Sequence, residues 1–590
     1  MKRLDKVLET LLGLMVAVMV LGCFWQVFTR FVLNSPSKYT EELLRYLLIW
    51  MTMIGVPYAF GKDRHLSINL VTRSFSPKAM VITKIGIEVL ILFLSIFVMI
   101  AGGWMVTTNS SGQISPALHM PMELYYACVP IGGILMVLYG VDHLIRYSKL
   151  IEGGKIMQIQ AAIVLLIVFF LLLAYGTPVS FSIISAALVT IIMFLTPNFG
   201  MFISAQKMVG GIDSFSLLAV PFFILAGLLM SSGGIARRLV NLALMVLGRV
   251  PGSLALTNVA GNAMFGSISG SGIAAATAIG GVMNPLEKEH GYDETFSAAV
   301  NIASAPVGQL IPPTTAPIIY STAAGGISVA ALLMAGWIPG LLWAGLCMLV
   351  AFLYGKKHGY TIKSEKLTMA AVGKTVWEAV PSLFLIVIII GGILSGYFTP
   401  TEASGVAVVY AFILSVFIYK SIKPSQIMGI LTETAVMTTI VMLIIGASSV
   451  LSFVLSFTGL PQAISALLLS VSSNKIVILL IINLILLIVG TFMDMAPALL
   501  IFTPIFLPVI KSLGMDPIQF GIMIIMNLAI GTITPPVGSV LFVGCSVAKL
   551  PVEDVMKTLV PYFLVIVAGL LLVTFIPAFS MWLPGVLGLL

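Results

Sequence analysis

Apolar runs long enough to cross a bilayer recur from one end of the chain to the other, broken by short polar loops. A span needs about 20 mostly apolar residues, and counting runs of that order predicts about 15 helical spans. The first four fall at roughly residues 8–33, 40–60, 80–108 and 121–147. Charge in the loops between them alternates. The N-terminus is basic (Lys2, Arg3, Lys6), and the next loop has little beyond Arg30 and Lys38. "GKDRHLSINLVTRSFSPK" carries Lys62, Arg64, Arg73 and Lys78, "NSSGQISPALHMP" carries no basic residue but His119, and the exit "HLIRYSKLIEGGK" is basic again. By the positive-inside rule both ends of this four-helix module are cytoplasmic.

The second of these helices opens "SKYTEELLRYLLIW". Glu41 and Glu42 suit the positive end of a helix dipole, and Glu41 with Arg45 forms an i,i+4 pair, so the stretch reads as structural or as a partner contact. The first helix mimics a secretory leader, yet its apolar run is too long and lacks a small-residue cleavage site. "VLGC" at Val20–Cys23 resembles a lipoprotein cleavage box, but Phe24 and Trp25 favour an uncut helix.

Composition agrees with the pattern. With 59% hydrophobic and 9% charged residues and a mean hydropathy of +1.13, the chain cannot be a soluble domain. A net charge of +8 would suggest nucleic acid in a soluble protein, but here the basic residues sit in loops and set orientation. Cys23, Cys128, Cys347 and Cys545 lie in apolar segments without CxxC spacing and read as buried small hydrophobes. The chain therefore divides into a small module at 1–150, a linker at 151–156 and a large module at 157–590.

The large module contains a duplication, with repeats around 215–340 and 435–565. Setting Ser267 over Gly490 (490 − 267 = 223) aligns, without a gap, Pro285 with Pro508, Gly291 with Gly514, Asp293 with Asp516, Ile302 with Ile525 and Gly308 with Gly531. Pro312–Pro313 falls on Pro535–Pro536. Each repeat brings two special pieces. One is a small, polar tip, "GSISGSG" or "GTFMDMAP", whose flanking arms of about 10 to 15 apolar residues predict a re-entrant hairpin. The other is a proline-broken helix, "SAPVGQLIPPTT" or "NLAIGTITPPVG". Adjacent prolines remove backbone donors and clash with the preceding turn, leaving carbonyls that hydrocarbon cannot satisfy.

Taken singly, each piece has a plain reading: close helix packing for the serine-glycine tip, a kink for the prolines. Duplicated in register, they point to a transporter's binding site, where broken backbone and half-helix ends hold ions and anions. Asp494, the one carboxylate in a tip, reads as a cation ligand, an acceptor for a substrate hydroxyl, or an interfacial surface acid. Asn258, Asn262 and Asn301 read as helix bridges, whereas Asn527 lies beside the second break and reads as a binding residue. Walker A, HExxH and GxSxG patterns are missing. The five histidines (His65, His119, His143, His290, His358) lie in loops or at helix ends, so neither ATP nor metal chemistry is indicated and the chain is not an enzyme.

With these motifs the sequence resembles the tripartite ATP-independent periplasmic (TRAP) transporters, in the form that fuses the small (Q) and large (M) membrane subunits. The likeness rests on "YTEELLRYLLIW" and "LHMPMELYYACVPIGGILMVL" in the small module. In the large module it rests on "GTPVSFSI", "VPFFILAGLLM", "GSISGSG", "PPTTAPIIY", "GTFMDMAPALLIFTPIFLP" and "NLAIGTITPPVGSVLF". The resemblance implies an all-α polytopic protein of the bacterial inner membrane: a four-helix scaffold plus an elevator-type module with internal repeats, two re-entrant hairpins and two broken helices. It implies one Q–M unit per chain, Na+ as coupling ion with no other cofactor, a small organic acid (sialic acid first) as substrate, and a separate periplasmic substrate-binding protein as partner. Carried over, the sodium ligands would be Ser267, Ser269, Gly308 and Pro312 at one site, and Thr491, Asp494, Gly531, Thr532 and Thr534 at the other. Substrate would lie near Ser269, Ser271, Asp494 and Asn527. The rival is a sodium/dicarboxylate symporter that needs no binding protein. A lipid-acting enzyme would need a nucleophile, base or metal cluster that the sequence lacks, and a channel would need polar residues repeated on several helices.

Overall fold

The computed structural model describes residues 2–31, 33, 37–62, 77–147, 161–194, 197–360, 369–458, 472, 474–535 and 538–590. The charged loop around Arg64 and Arg73, the linker at 151–156 and Pro536 lie outside the described residues. Helices and the turns between them make up the described residues, with an isolated antiparallel bridge between Ile114 and Pro121 as their one piece of β structure. Among the described residues twelve helices are long and apolar enough to cross a membrane, against about 15 expected from apolar runs of the whole chain. The difference lies in short helices such as Pro517–Gly531 and Ser539–Ala548, which read as spans by hydropathy but fall below spanning length.

Compactness divides the chain into two units. The first comprises Met1–Pro221, Ile427–Ala466 and Leu500–Ile505. Within it the small module is an antiparallel bundle: Lys2–Phe31, Lys38–Gly61, Pro77–Leu94 continuing through a π-helical stretch (Ser95–Gly102) to Asn109, and Cys128–Tyr147. Ser37 caps the second helix by accepting from Thr40 N. Asp5 accepts from Lys62 Nζ (2.7 Å) and Tyr139 Oη (2.6 Å), so both ends of the module meet at one end of the bundle. Cys23 is fully buried in the middle of the first helix, which runs unbroken past the "VLGC" motif.

The acidic start of the second helix works differently from a dipole contact. Glu42, 2% exposed, accepts from Tyr46 Oη (2.6 Å) and from the backbone N–H groups of Ala117 (2.7 Å) and Leu118 (3.0 Å). It thereby clamps the loop that the Ile114–Pro121 bridge closes. Arg45, expected to pair with Glu41, instead reaches Asp213 at 3.1 Å, just beyond the helix Pro197–Ile212. That pair ties small-module residues to large-module residues inside one unit. The same helix lies against the π-helical stretch, where a Cβ on Gly102 would come 2.5 Å from Met201 O. Charge-assisted bonds to backbone N–H groups are strong, and losing one partner leaves the donors orphaned. Glu42→Ala is expected to destabilise the small module by about 3 kcal/mol, and Glu42→Gln by less, since its amide oxygen can still accept one N–H. Protease nicking within residues 110–121, compared between the two variants, checks this order.

The second unit comprises Phe222–Gln426, Leu467–Leu499 and Phe506–Leu590. It holds both hairpin tips and both broken helices. The duplication is visible in its backbone. The broken helices start at Glu294 and Pro517 (517 − 294 = 223), and their continuations start at Ala316 and Ser539 (539 − 316 = 223). Asp293 and Asp516 cap them through their side chains, each preceded by a glycine with positive φ, Gly291 and Gly514. One expectation fails. The hairpin arms are Ser253–Ser269 (17 residues), Gly272–Glu289, Lys475–Phe492 and Met495–Ser512 (18 residues each), not 10 to 15. Helices persist through glycine- and asparagine-bearing stretches because packing, not apolar density, holds them.

The core of this unit is cross-tied by buried polar bonds. Trp343, fully buried, donates from Nε1 to Ala303 O at 2.9 Å and pins Trp337–His358 to the first broken helix. Tyr320, just past the first break, donates to Pro517 O at the start of the second broken helix, so the two repeats interlock.

Candidate functional site

The first tip forms where the arm Ser253–Ser269 ends in Gly270, at φ +64, and Ser271 caps the arm Gly272–Glu289 by accepting from Ala274 N. The first broken helix runs Glu294–Ser304, tightens to a 3-10 turn at Ala305–Gln309, and resumes at Ala316–Ala323. Tip and break touch. A Cβ on Gly270 would stand 3.6 Å from Pro313 O and 3.7 Å from Thr314 Oγ1. Deeper in, Gly308 packs on Gly266 with no room for a side chain on either, backbone against backbone.

The polar atoms here divide in two. Ser267 Oγ is spent on its own helix, donating to Met264 O at 2.8 Å. Ser269 Oγ, Gln309 Oε1 and Thr314 Oγ1 are buried without any hydrogen-bond partner. Orphaned buried oxygens are costly, so three at one break mark a place where something else supplies the partner. Gln309 and Thr314 were absent from the residue-by-residue expectation. Their signal was the polar run "GQLIPPTT" itself.

The second tip is built on the same plan with one change. The arm Lys475–Phe492 ends, and Asp494 takes the capping position of Met495–Ser512 that Ser271 holds in the first repeat (494 − 271 = 223). Unlike Ser271, Asp494 makes no capping bond through its side chain; the Met495 N–H lies beside its carboxylate, which is half-buried at the tip. At the second break Gly531 packs on Gly490, again backbone on backbone. The hydroxyls of Thr491, Thr532 and Thr534 each donate to a carbonyl of their own helix (Ile488, Ala529 and Ile530, all 2.7 Å), leaving the oxygen lone pairs available. The main-chain oxygen of Thr532 accepts from both Val540 N and Leu541 N, which bridges the break and fills that carbonyl. If Thr532 serves a cation, it does so through Oγ1.

The two halves share a neighbourhood. Gly538 N donates to Thr491 O at 3.3 Å, and a Cβ on Gly272 would lie 3.2 Å from Val540 Cγ2. Both tips thus border the segment Gly538–Val540. Asn527, fully buried, donates from Nδ2 to Asn483 Oδ1 (2.6 Å) and Met523 O (3.1 Å), while its Oδ1 is buried without a partner. Its counterpart Ser304 (527 − 304 = 223) receives Asn262 Nδ2 at 2.9 Å, so in each repeat this position ties the broken helix to a hairpin arm by a buried polar bond. Asn258, Asn262 and Asn301 act as the bridges the sequence suggested.

Comparison with known proteins places this geometry. Residues 166–579 match the family described as "Tripartite ATP-independent periplasmic transporter, DctM component", and residues 19–150 match the DctQ component of the same transporters. The chain is 49% identical over 426 residues to the uncharacterized protein YgiK of Salmonella typhimurium, covering 72% of this chain and 98% of that one. It is 33% identical to the isethionate TRAP transporter permease protein DctMQ of Oleidesulfovibrio alaskensis, covering 93% of this chain and 89% of the relative. With the sialic acid TRAP transporter permease protein SiaT of Haemophilus influenzae it shares 29% identity across the full length of both. Among solved structures, the Alcanivorax borkumensis YdaH transporter shares the fold at a TM-score of 0.50 and 15% identity, over 66% of this chain and 90% of that one.

Proposed function

Because the chain belongs to the tripartite ATP-independent periplasmic transporters, with DctQ-like and DctM-like regions in one polypeptide, we propose that it is a sodium-driven permease for a small organic acid. It is a multi-pass inner-membrane transporter and not an enzyme, and as a TRAP permease it takes organic acids from a periplasmic binding protein. What goes beyond the family is the ion, the mechanism and the acid.

The observation that carries the sodium reading is the pair of duplicated breaks, each locked to its hairpin by glycine on glycine and each furnished with uncommitted oxygens. Oxygens are the ligands of hard cations, and half-helix ends hold anions. In this reading Ser267, Ser269, Gly308 and Pro312 surround one Na+, with Thr314 and Gln309 close by. Thr491, Asp494, Gly531, Thr532 and Thr534 surround the other. Substrate sits by Ser269, Ser271, Asp494 and Asn527, and the unit holding both tips travels across the membrane as an elevator while the small module stays put.

Coupling arithmetic suits two ions. Two Na+ with one monoanion carry one net charge inward, about 2.3 kcal/mol per 100 mV. A tenfold Na+ gradient adds about 1.4 kcal/mol per ion, for a total of roughly 5 kcal/mol, or several thousandfold accumulation.

For the acid, sialic acid is the reading from the sequence, and the fused relative SiaT supports it. The fused relative DctMQ carries isethionate in its name. Both compounds are hydroxylated monoanions, which suits a pocket of hydroxyls, amides and one carboxylate without a dedicated arginine. Proteoliposomes holding the chain, with its periplasmic binding protein added, should take up one of these acids only when Na+ and an inside-negative voltage are both supplied. Uptake indifferent to Na+ and voltage overturns the sodium reading. Uptake without any binding protein would favour the sodium/dicarboxylate symporter instead.

A further inference from the structure

The first hairpin carries a carboxylate that none of the above uses. Glu287, near the outer end of the arm Gly272–Glu289, is fully buried. Asn258 Nδ2 lies 3.3 and 3.5 Å from its two oxygens. Asn262 Nδ2 donates in turn to Asn258 Oδ1 (3.1 Å), and also to Asn301 Oδ1 (3.0 Å) and Ser304 Oγ (2.9 Å). Ser304 is the last residue before the 3-10 turn of the first break. A file of buried side chains therefore links this acid to the break. Along it, the Asn258 amide N–H faces Glu287, and Asn262 Oδ1 stands unpartnered midway.

Among the described residues no basic group pairs with Glu287. Its sequence neighbour Lys288 bonds Glu294 at 2.8 Å, and Glu289 and His290 are exposed. The helices packed on the arm bring little charge. Ser253–Ser269 and Ser539–Ala548 have none, and Glu294–Ser304 has only Glu294 and its cap Asp293. On Ile235–Leu247, Arg237 is exposed and Arg238 stacks on the Tyr419 ring at 3.7 Å. The ionisable groups that sense Glu287 are the phenols of Tyr292 and Tyr562. A bare carboxylate in such a place costs several kcal/mol unless a cation or a proton neutralises it. The groups around it are neutral amides and hydroxyls, too few to complete the oxygen shell of a metal ion, whereas a proton needs one lone pair. Ser297, its Oγ buried beside the carboxyl, brings a neutral hydroxyl and no positive charge.

We propose that Glu287 is a proton-binding site of the transport cycle, occupied while the first hairpin lies closed on the first broken helix and emptied when they separate. Glu287 is outside both sodium ligand sets, so this inference stands apart from the sodium reading.

The test compares wild type, Glu287→Gln and the exposed control Glu289→Gln as full-length protein in detergent, by thermal melting from pH 4.5 to 8.5. The unfolded chain releases this proton above about pH 4.3, while the closed hairpin retains it. Wild-type stability therefore falls as pH rises, and Glu287→Gln, which mimics the protonated acid, escapes that loss. The Tm advantage of Glu287→Gln should widen with pH, and Glu289→Gln should show none. Ser297→Ala, which removes a donor to the ionised carboxylate, should carry the wild-type decline on to higher pH; this variant decides the matter if Glu287→Gln fails to fold. With Na+ held constant, the pH slope of uptake in proteoliposomes should flatten in Glu287→Gln. A Tm offset that is constant with pH, an unmoved decline in Ser297→Ala, or a Na+-dependent stabilisation lost only in Glu287→Gln would overturn the proposal, the last by showing a metal cation in the proton's place.

Discussion

Gly531→Ala is expected to abolish uptake and sharply reduce the yield of folded protein, and Gly308→Ala to do the same from the other repeat. Helix propensity alone forecasts the opposite, since alanine is better than glycine inside a helix by about 1 kcal/mol. The contact decides. A Cβ on Gly531 would stand 2.5 Å from Gly490 O and nearer still to its carbonyl carbon; one on Gly308 would stand 2.6 Å from Gly266 O and nearer to its Cα. These neighbours are main chain and cannot swing aside as a side chain would, so the break must part from its hairpin. Overpacking of one methyl costs about 1–3 kcal/mol where side chains can yield, and more where only backbone can. Gly281→Ala supplies the control. It lies within the arm Gly272–Glu289 of the first hairpin and meets nothing within 4 Å, so it should be neutral or slightly stabilising. Detergent melting and proteoliposome uptake of the three variants check the ranking. Gly531→Ala melting and transporting like Gly281→Ala would mean that the glycine pair locks nothing.

Where local chemistry sets the outcome, the sequence was readable. Asp293 and Asp516, with glycines two residues before them, are caps and turns that few other residues could form, and they fix the repeat to the residue. The prolines set both breaks for the same reason. What escaped was whatever depended on partners far along the chain. Arg45 had a plausible mate four residues away, yet the ion pair it makes is with Asp213, 168 residues on. Glu42 looked like a dipole residue and proved to be the clamp of a loop more than 70 residues away. The hairpin arms looked too short because asparagines interrupt their apolar runs. Asn258, Asn262 and Asn301 bond one another, so the helix continues with Asn262 Oδ1 as the one oxygen of the three side chains left unpartnered. The site was legible as a region, and less so atom by atom. Nothing in the sequence says that the Thr532 carbonyl is filled by two N–H groups, or that Gln309 and Thr314 keep free oxygens.

Asp494→Ser is the substitution expected to separate folding from coupling. The protein itself supplies the template, for Ser271 occupies the same position of the first hairpin and caps its helix through Oγ. Serine at 494 should therefore hold the second tip at least as well as aspartate, which makes no capping bond there. Natural helix caps resist loss of their side chains because the first N–H groups need a partner, and here a better partner arrives. If the carboxylate serves instead to hold a cation, the same change removes the one formal negative charge at the tip. The half-saturating Na+ concentration for uptake should then rise at least about tenfold, a loss of about 1.4 kcal/mol in ion affinity, with the melting temperature in Na+-free buffer unchanged or raised. Asp494→Asn should lose Na+ affinity in the same direction while keeping the shape of the side chain. An Asp494→Ser protein with wild-type Na+ dependence would reduce Asp494 to an interfacial acid, and would leave the second sodium set to the hydroxyls and carbonyls of Thr491, Gly531 and Thr534.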